Sequence, residues 1–267
     1  MDYLERTRLV LTKLNYHFLL HTEFSKTMDE DDDEEVEYER ENFKIGQYQF
    51  AVTTVSYMPI TKLMQLRENE QEISGRKLWC GSLIVMDYLV SQPNIISSAS
   101  VLELGAGTGV LGMLCKRLGA SKVYLTDYDD ESLNHMRSDC CHNGIQCEVR
   151  ELNWFSPNFE WIDEIFVLNS AEDVMIIAGD VLYKRDLLEP FFSVVSKLLS
   201  KRSGSFLILG HVPRAGIEHK DVLRYCDAFQ LIANEIPADL WKKDCSIEYS
   251  PVEELEAAKL YHIMLRL

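Results

Sequence analysis

Positive charge is scarce in this chain: 27 Lys and Arg stand against 43 Asp and Glu, for a formal net charge of -16. No basic run or stripe occurs, and since phosphates are held mostly by Lys and Arg, nucleic acid and anionic lipid are poor partners for it. No window approaches eighteen apolar residues, which argues against a membrane-spanning helix. The first twenty residues carry Asp2, Glu5, Arg6, Arg8 and Lys13 among their apolar positions. They have no uninterrupted apolar core and no small-residue cleavage site, so they do not read as a signal peptide. The cysteines at 80, 115, 140, 141, 147, 226 and 245 are odd in number and lack CxxC pairing. A disulfide framework and a zinc site are therefore poorly supported, no metal is expected, and a reducing compartment, cytosol or nucleus, is.

What is present is enough for a real core: 267 residues with 46% hydrophobic content. The acidity is uneven. The stretch DEDDDEEVEYERE, 29–41, holds ten acids against Arg40 and accounts for -9 of the charge. Like charges repel and little there can be buried, so it reads as a solvated, disordered insert. Its other use would be docking a Lys-rich partner. The body of the chain is mildly acidic and suits a basic partner.

From Leu78 onward, short apolar runs alternate with helical patterns. CGSLIVMDYLVSQ reads as a helix, VLEL as a strand, the residues after Gly109 as a helix, VYLTD as a strand and 130–142 as a helix. CEVREL, VMIIAGD, a helix over about 185–201, SFLILGH and a helix around 216–227 continue the series. Leu187, Leu188, Phe191, Phe192, Val195 and Leu198 recur at three- and four-residue spacing, as one face of a helix requires. This βαβ rhythm predicts an α/β, Rossmann-like, doubly wound sheet with five parallel strands. AFQLIANEI and AKLYHIMLRL, with no useful crossover helix between them, predict an antiparallel C-terminal strand pair that brings the sheet to seven. YHFLLHTEF and QYQFAVTTVSY predict strands on either side of the acid run. Residues 1–75 are thus an N-terminal β-rich accessory segment, and 76–267 the main domain.

VLELGAGTGVLG carries the strongest local signal. A strand runs into a glycine-rich turn and then a helix, so the backbone can approach a ligand and aim helix N-terminal amides at it. Two registers compete. Gly107, Gly109 and Gly112 spell GxGxxG, which suits a dinucleotide pyrophosphate, whereas Glu103 followed by Gly105, Gly107 and Gly109 puts an acid at the strand end. That acid would repel a pyrophosphate but accept a hydrogen bond from a cationic cofactor bearing an amino group, as S-adenosylmethionine does. Asp127, ending VYLTD, can hold ribose hydroxyls in either case.

With KLWCGSLIVMDYL, ELGAGTG, TDYD, ELNW and GDVLY, the stretch from Leu78 to Leu267 resembles the seven-strand S-adenosylmethionine-dependent methyltransferases. More narrowly it resembles the branch that modifies protein lysines and carries a DxxY motif, here Asp180 to Tyr183. The resemblance implies that Trp79 and Gly105, Ala106 and Gly107 touch the cofactor's methionine end, Asp127 its ribose and Trp154 its adenine. Glu103 serves the same cofactor, and Gly179 lines the pocket beside Asp180. Asn153 stands where that family commonly has an acid, and Gly179 where it has alanine, an exchange that would enlarge the pocket.

Such an enzyme must make a lysine amine nucleophilic, since at a reference pKa near 10.4 only roughly one in a few thousand is neutral at pH 7. Asp180 and Tyr183 are the catalytic candidates, Asp180 orienting the amine or accepting its proton, Tyr183 walling the channel. Asp180 could instead cap the helix that begins near Lys184. His211, at the end of SFLILGH, could be a base or an incidental loop histidine. The expected partner is a protein with a lysine-bearing basic segment, and the expected state a monomer. Methylation of a small molecule or nucleic acid, a nicotinamide-dependent oxidoreductase and a non-catalytic binding protein are the alternatives.

Overall fold

The computed structural model describes residues 35–59, 75, 77–168 and 174–266. Strands β1 (Glu37–Ile45) and β2 (Tyr48–Tyr57) form a two-stranded sheet. Helix α1 (Cys80–Ser91) opens the alternating part, followed by β3 (Ser100–Leu104), α2 (Val110–Arg117), β4 (Lys122–Asp127), α3 (Asp130–His142), β5 (Glu148–Glu151) and α4 (Glu160–Leu168). Then come β6 (Val174–Gly179), α5 (Leu188–Ser200), β7 (Phe206–His211), α6 (His219–Ala228), β8 (Leu231–Ile236), α7 (Asp244–Tyr249), α8 (Val252–Ala257) and β9 (Lys259–Leu265).

The large sheet has seven strands in the order β5-β4-β3-β6-β7-β9-β8. The first five are mutually parallel, and β9 runs antiparallel to both β7 and β8. The order reverses between β3 and β6, and in open α/β sheets ligands bind at such a switch point, beyond the carboxyl ends of the strands. Strands β3 and β6 are buried on both faces, as a sheet covered by helices on both sides demands. Two apolar layers result. One packs α1, α2 and α3 against the sheet, and the other packs α4, α5 and α6 against the opposite face.

Three differences from the sequence reading have physical causes. Helix α4 is missing from the series read in the sequence: it is only nine residues long, and its last four, Ile165 to Leu168, are a continuous apolar run that a strand would supply equally well. The end of the acid run is not a disordered insert. Glu37 to Glu41 belong to β1, and Arg40 Nε donates to Asp139 Oδ1 at 3.1 Å. Nor does the whole stretch before residue 75 stand apart, since Arg40–Thr53 belongs with Ser74–Leu267 to one compact unit. The buried Asp139 of α3 also accepts from Thr53 N at 2.7 Å and Thr53 Oγ1 at 2.8 Å. Asn143 exchanges two hydrogen bonds with the Ala51 backbone. YHFLLHTEF lies outside the described residues.

Candidate active site

Strand β3 delivers its last residues to the switch point, and the chain then turns through Gly105, Gly107 and Gly109 at φ 64°, 54° and 71°. A side chain would be strained at each, and there is no room for one. A Cβ on Gly105 would lie 2.9 Å from Val181 Cγ1, and one on Gly107 2.9 Å from the Gly75 carbonyl oxygen. Ala106 N donates to Thr126 O at 2.8 Å, tying the turn to β4. Glu103 is buried, and its Oε2 accepts from Gly112 N in the first turn of α2 at 2.8 Å. It therefore braces the turn against its helix from beneath. Burial outweighs that hydrogen bond and, with Asp127 adding to it, pushes the Glu103 carboxyl up to about 8, so it is protonated at neutral pH.

Asp127 ends β4, and its carboxylate holds the glycine turn directly: Oδ2 accepts from Gly107 N at 2.9 Å, Oδ1 from Tyr128 N at 2.8 Å and Asp129 N at 3.2 Å. Burial raises its pKa against these three donors. Beyond β5, the Trp154 ring lies against Gly105 and packs edge-on to Phe191 of α5 with centroids 5.1 Å apart. A glycine turn at a helix start, a carboxylate at the next strand end and a flat ring beyond the third together fit a nucleoside-bearing cofactor with an amino acid tail.

Asp180 follows β6 with φ 61°, a left-handed conformation that costs a non-glycine residue on the order of 1 kcal/mol or more. Tertiary contacts hold it there. Its amide donates to Gly210 O at 2.9 Å, and Oδ2 accepts from Gly81 N at 3.1 Å. Both oxygens accept from Arg214, Oδ1 from Nε at 2.9 Å and Oδ2 from Nη2 at 2.8 Å. The same guanidinium donates to Glu254 of α8 at 3.1 and 2.7 Å and lies over the Trp79 ring, 4.9 Å from its centroid. Burial works against the charge of Arg214, but Asp180 and Glu254 outweigh it and raise its pKa. Lys77 Nζ lies 4.7 Å from the centroid of the same Trp79 ring.

The helix-cap alternative for Asp180 does not apply. The backbone N-cap position before the next helical turn is Lys184, and the Asp180 carboxylate is spent on Arg214 and Gly81. Gly179 does not enlarge a pocket. A Cβ there would lie 2.5 Å from Ser82 Cα, so the glycine lets α1 pack against the strand. Tyr183 sits partly exposed in the loop after β6. His211 is buried, with Nδ1 3.0 Å from His219 Nδ1, while His219 Nε2 lies 2.8 Å from Ala257 O. The carbonyl requires a proton on His219 Nε2, so His211 donates from Nδ1 and is neutral. Burial, then His219 and Arg214, push its pKa down to about 3, which leaves it a weak base.

Sequence reasoning missed Arg214 and Glu254, which lie in no motif and reach Asp180 only through the fold. The one available signal for Glu254 is the acidic VEELEA between the two C-terminal strands. Among the described residues no group of three or more His, Cys, Asp or Glu side chains could hold a metal ion, and no helix is long and apolar enough to cross a membrane.

The chain is similar to several methyltransferases. Methyltransferase-like protein 22 of Mus musculus is 26% identical over 188 residues, covering 64% of this chain and 47% of that one. A protein N-terminal and lysine N-methyltransferase of Cryptococcus neoformans is 46% identical over 59 residues, 22% of this chain and 20% of that one. The chain spans about half the length of the methyltransferase-like relative. Among solved structures, a T. thermophilus 16S rRNA methyltransferase in complex with AdoMet and guanosine superposes with a TM-score of 0.54 at 16% identity. It covers 90% of this chain and 54% of that one, and shares the fold. The family described as lysine methyltransferase matches residues 60–221, more than half of the 267, and the chain belongs to that family.

Proposed function

We propose that this protein transfers a methyl group from S-adenosylmethionine to the side-chain amine of a lysine in a protein substrate. When bound, that cofactor supplies an electrophilic sulfonium methyl. The chain's own residues bind it, orient the acceptor and exclude water. Gly105, Ala106 and Gly107, together with Trp79, hold the methionine end, braced from below by Glu103. Asp127 takes the ribose and Trp154 the adenine, while Gly179 brings α1 close to the strand that carries Asp180.

The acceptor side is the wall formed by Asp180, Glu254 and Arg214. Two carboxylates against one guanidinium leave one negative charge, which draws in a lysine ammonium. With both oxygens already hydrogen-bonded, Asp180 orients the amine and Tyr183 walls its channel, and the proton leaves to water. Desolvation in this setting favours the neutral amine. The substrate surface is basic, to match an acidic chain, and the protein acts as a monomer in the cytosol or nucleus.

The observation that carries this reading is the arrival of the glycine turn, Asp127 and the Asp180 cluster at one edge of the sheet. Incubation with tritiated cofactor and cell extract, followed by mass spectrometry, tests it. Label on lysines of extract proteins is expected, and label confined to RNA or metabolites overturns it. Calorimetry should show binding of S-adenosylhomocysteine and no response to NADH.

A further inference from the structure

The short segment that leads into α1 joins the two poles of the site. At one end, the backbone of Gly75 is pressed onto the glycine turn: a Cβ on Gly75 would lie 3.3 Å from Gly107 Cα. At the other, Trp79 sits at the start of α1 under the Arg214 guanidinium, and Gly81 N donates to Asp180. Lys77 lies midway. It is exposed, and its Nζ rests over the Trp79 ring. Arg214 beside it is saturated by two carboxylates, whereas Lys77 forms no ion pair with a carboxylate of the described residues.

We propose that Lys77 is itself a methyl acceptor, modified in cis by the chain that carries it, an inference that rests on the methyltransferase reading above. The neutral Lys77 amine uses its lone pair to form the new N–C bond. The S–C bond of the sulfonium donor breaks with its electron pair left on sulfur, and the amine's surplus proton passes to the water that reaches this exposed residue. Partial desolvation lowers the Lys77 pKa; Glu254 and Asp180 oppose that shift, and Arg214 adds to it. A methylated ammonium keeps its charge and remains suited to the aromatic face on which it already rests.

The test uses the purified full chain with isotopically labelled S-adenosylmethionine, followed by fragmentation of peptides spanning residues 73–79. Methyl groups on Lys77 are expected, at a rate per molecule independent of protein concentration, and Lys77→Arg should abolish that label while leaving S-adenosylhomocysteine binding intact by calorimetry. A second readout needs no turnover: S-adenosylhomocysteine should shield Lys77 from acylation by acetic anhydride. A chain that methylates other lysines and leaves Lys77 bare, a rate that rises with protein concentration, or absence of shielding overturns the inference and leaves the enzyme reading standing. Failure to bind S-adenosylhomocysteine at all overturns both.

Discussion

Replacing Arg214 by Gln should be among the most damaging single changes in the molecule. Arg214 is 12% exposed at its side chain, Asp180 3% and Glu254 17%, so all three charges are largely out of water. The guanidinium makes four charge-assisted hydrogen bonds between 2.7 and 3.1 Å, and it is the group that lets two carboxylates sit side by side. Removing the cation leaves two largely buried acids repelling each other without the guanidinium between them, a loss of about 3–5 kcal/mol when a buried pair is broken. At roughly 2 °C per kcal/mol for a chain of this size, the melting temperature should fall by about 6–10 °C. Thermal unfolding by circular dichroism at pH 7.5 measures this. Asp180→Asn, which leaves Arg214 paired with Glu254, should cost less. A melting temperature for Arg214→Gln within a degree or two of the parent would refute the claim that this cluster is desolvated and mutually dependent.

Asp127→Ala should weaken S-adenosylhomocysteine binding in calorimetry, whereas Asp180→Ala should chiefly lower turnover; equal losses of affinity would contradict that division of roles. Gly179→Ala should destabilise the fold by about 1–3 kcal/mol in denaturant unfolding, because the added carbon would meet the Ser82 backbone at 2.5 Å and a packed helix cannot step aside cheaply. Unchanged stability would show that α1 is free to shift. Glu103 titrates near 8 when folded, far above its value in an unfolded chain. Its contribution is therefore fully present below the unfolded pKa and is lost as pH rises through the folded one, at a rate approaching about 1.4 kcal/mol per pH unit between the two. Glu103→Gln removes this slope, so the variant should gain on the parent from pH 5 to 8, and parallel pH profiles would mean that Glu103 is already ionised.

Much of the site is legible from local pattern because its parts are local. Glu103, Gly105, Gly107 and Gly109 sit within seven residues of one strand and turn, and each glycine is explained by the positive φ it adopts. Asp127 is marked by the end of an apolar run, and the order of strands and helices follows from hydrophobic period. The same logic misses α4, where the period is blurred. It also misassigns Gly179, whose reason is a helix 97 residues earlier in the chain that approaches to hydrogen-bond distance through Ser82 Oγ.

By itself, the sequence determined the alternation of strands and helices, the glycine turn and the two acids at strand ends, because period, backbone freedom and burial are properties of neighbouring residues. Only the tertiary structure decided what Asp180 touches. Its partners come from α1, from β7 and from the loop after β7, where Arg214 also binds Glu254 of α8, and these elements lie far apart in the chain. An ion pair buried at that junction depends on distance in space, for which the one-dimensional pattern carries no signal.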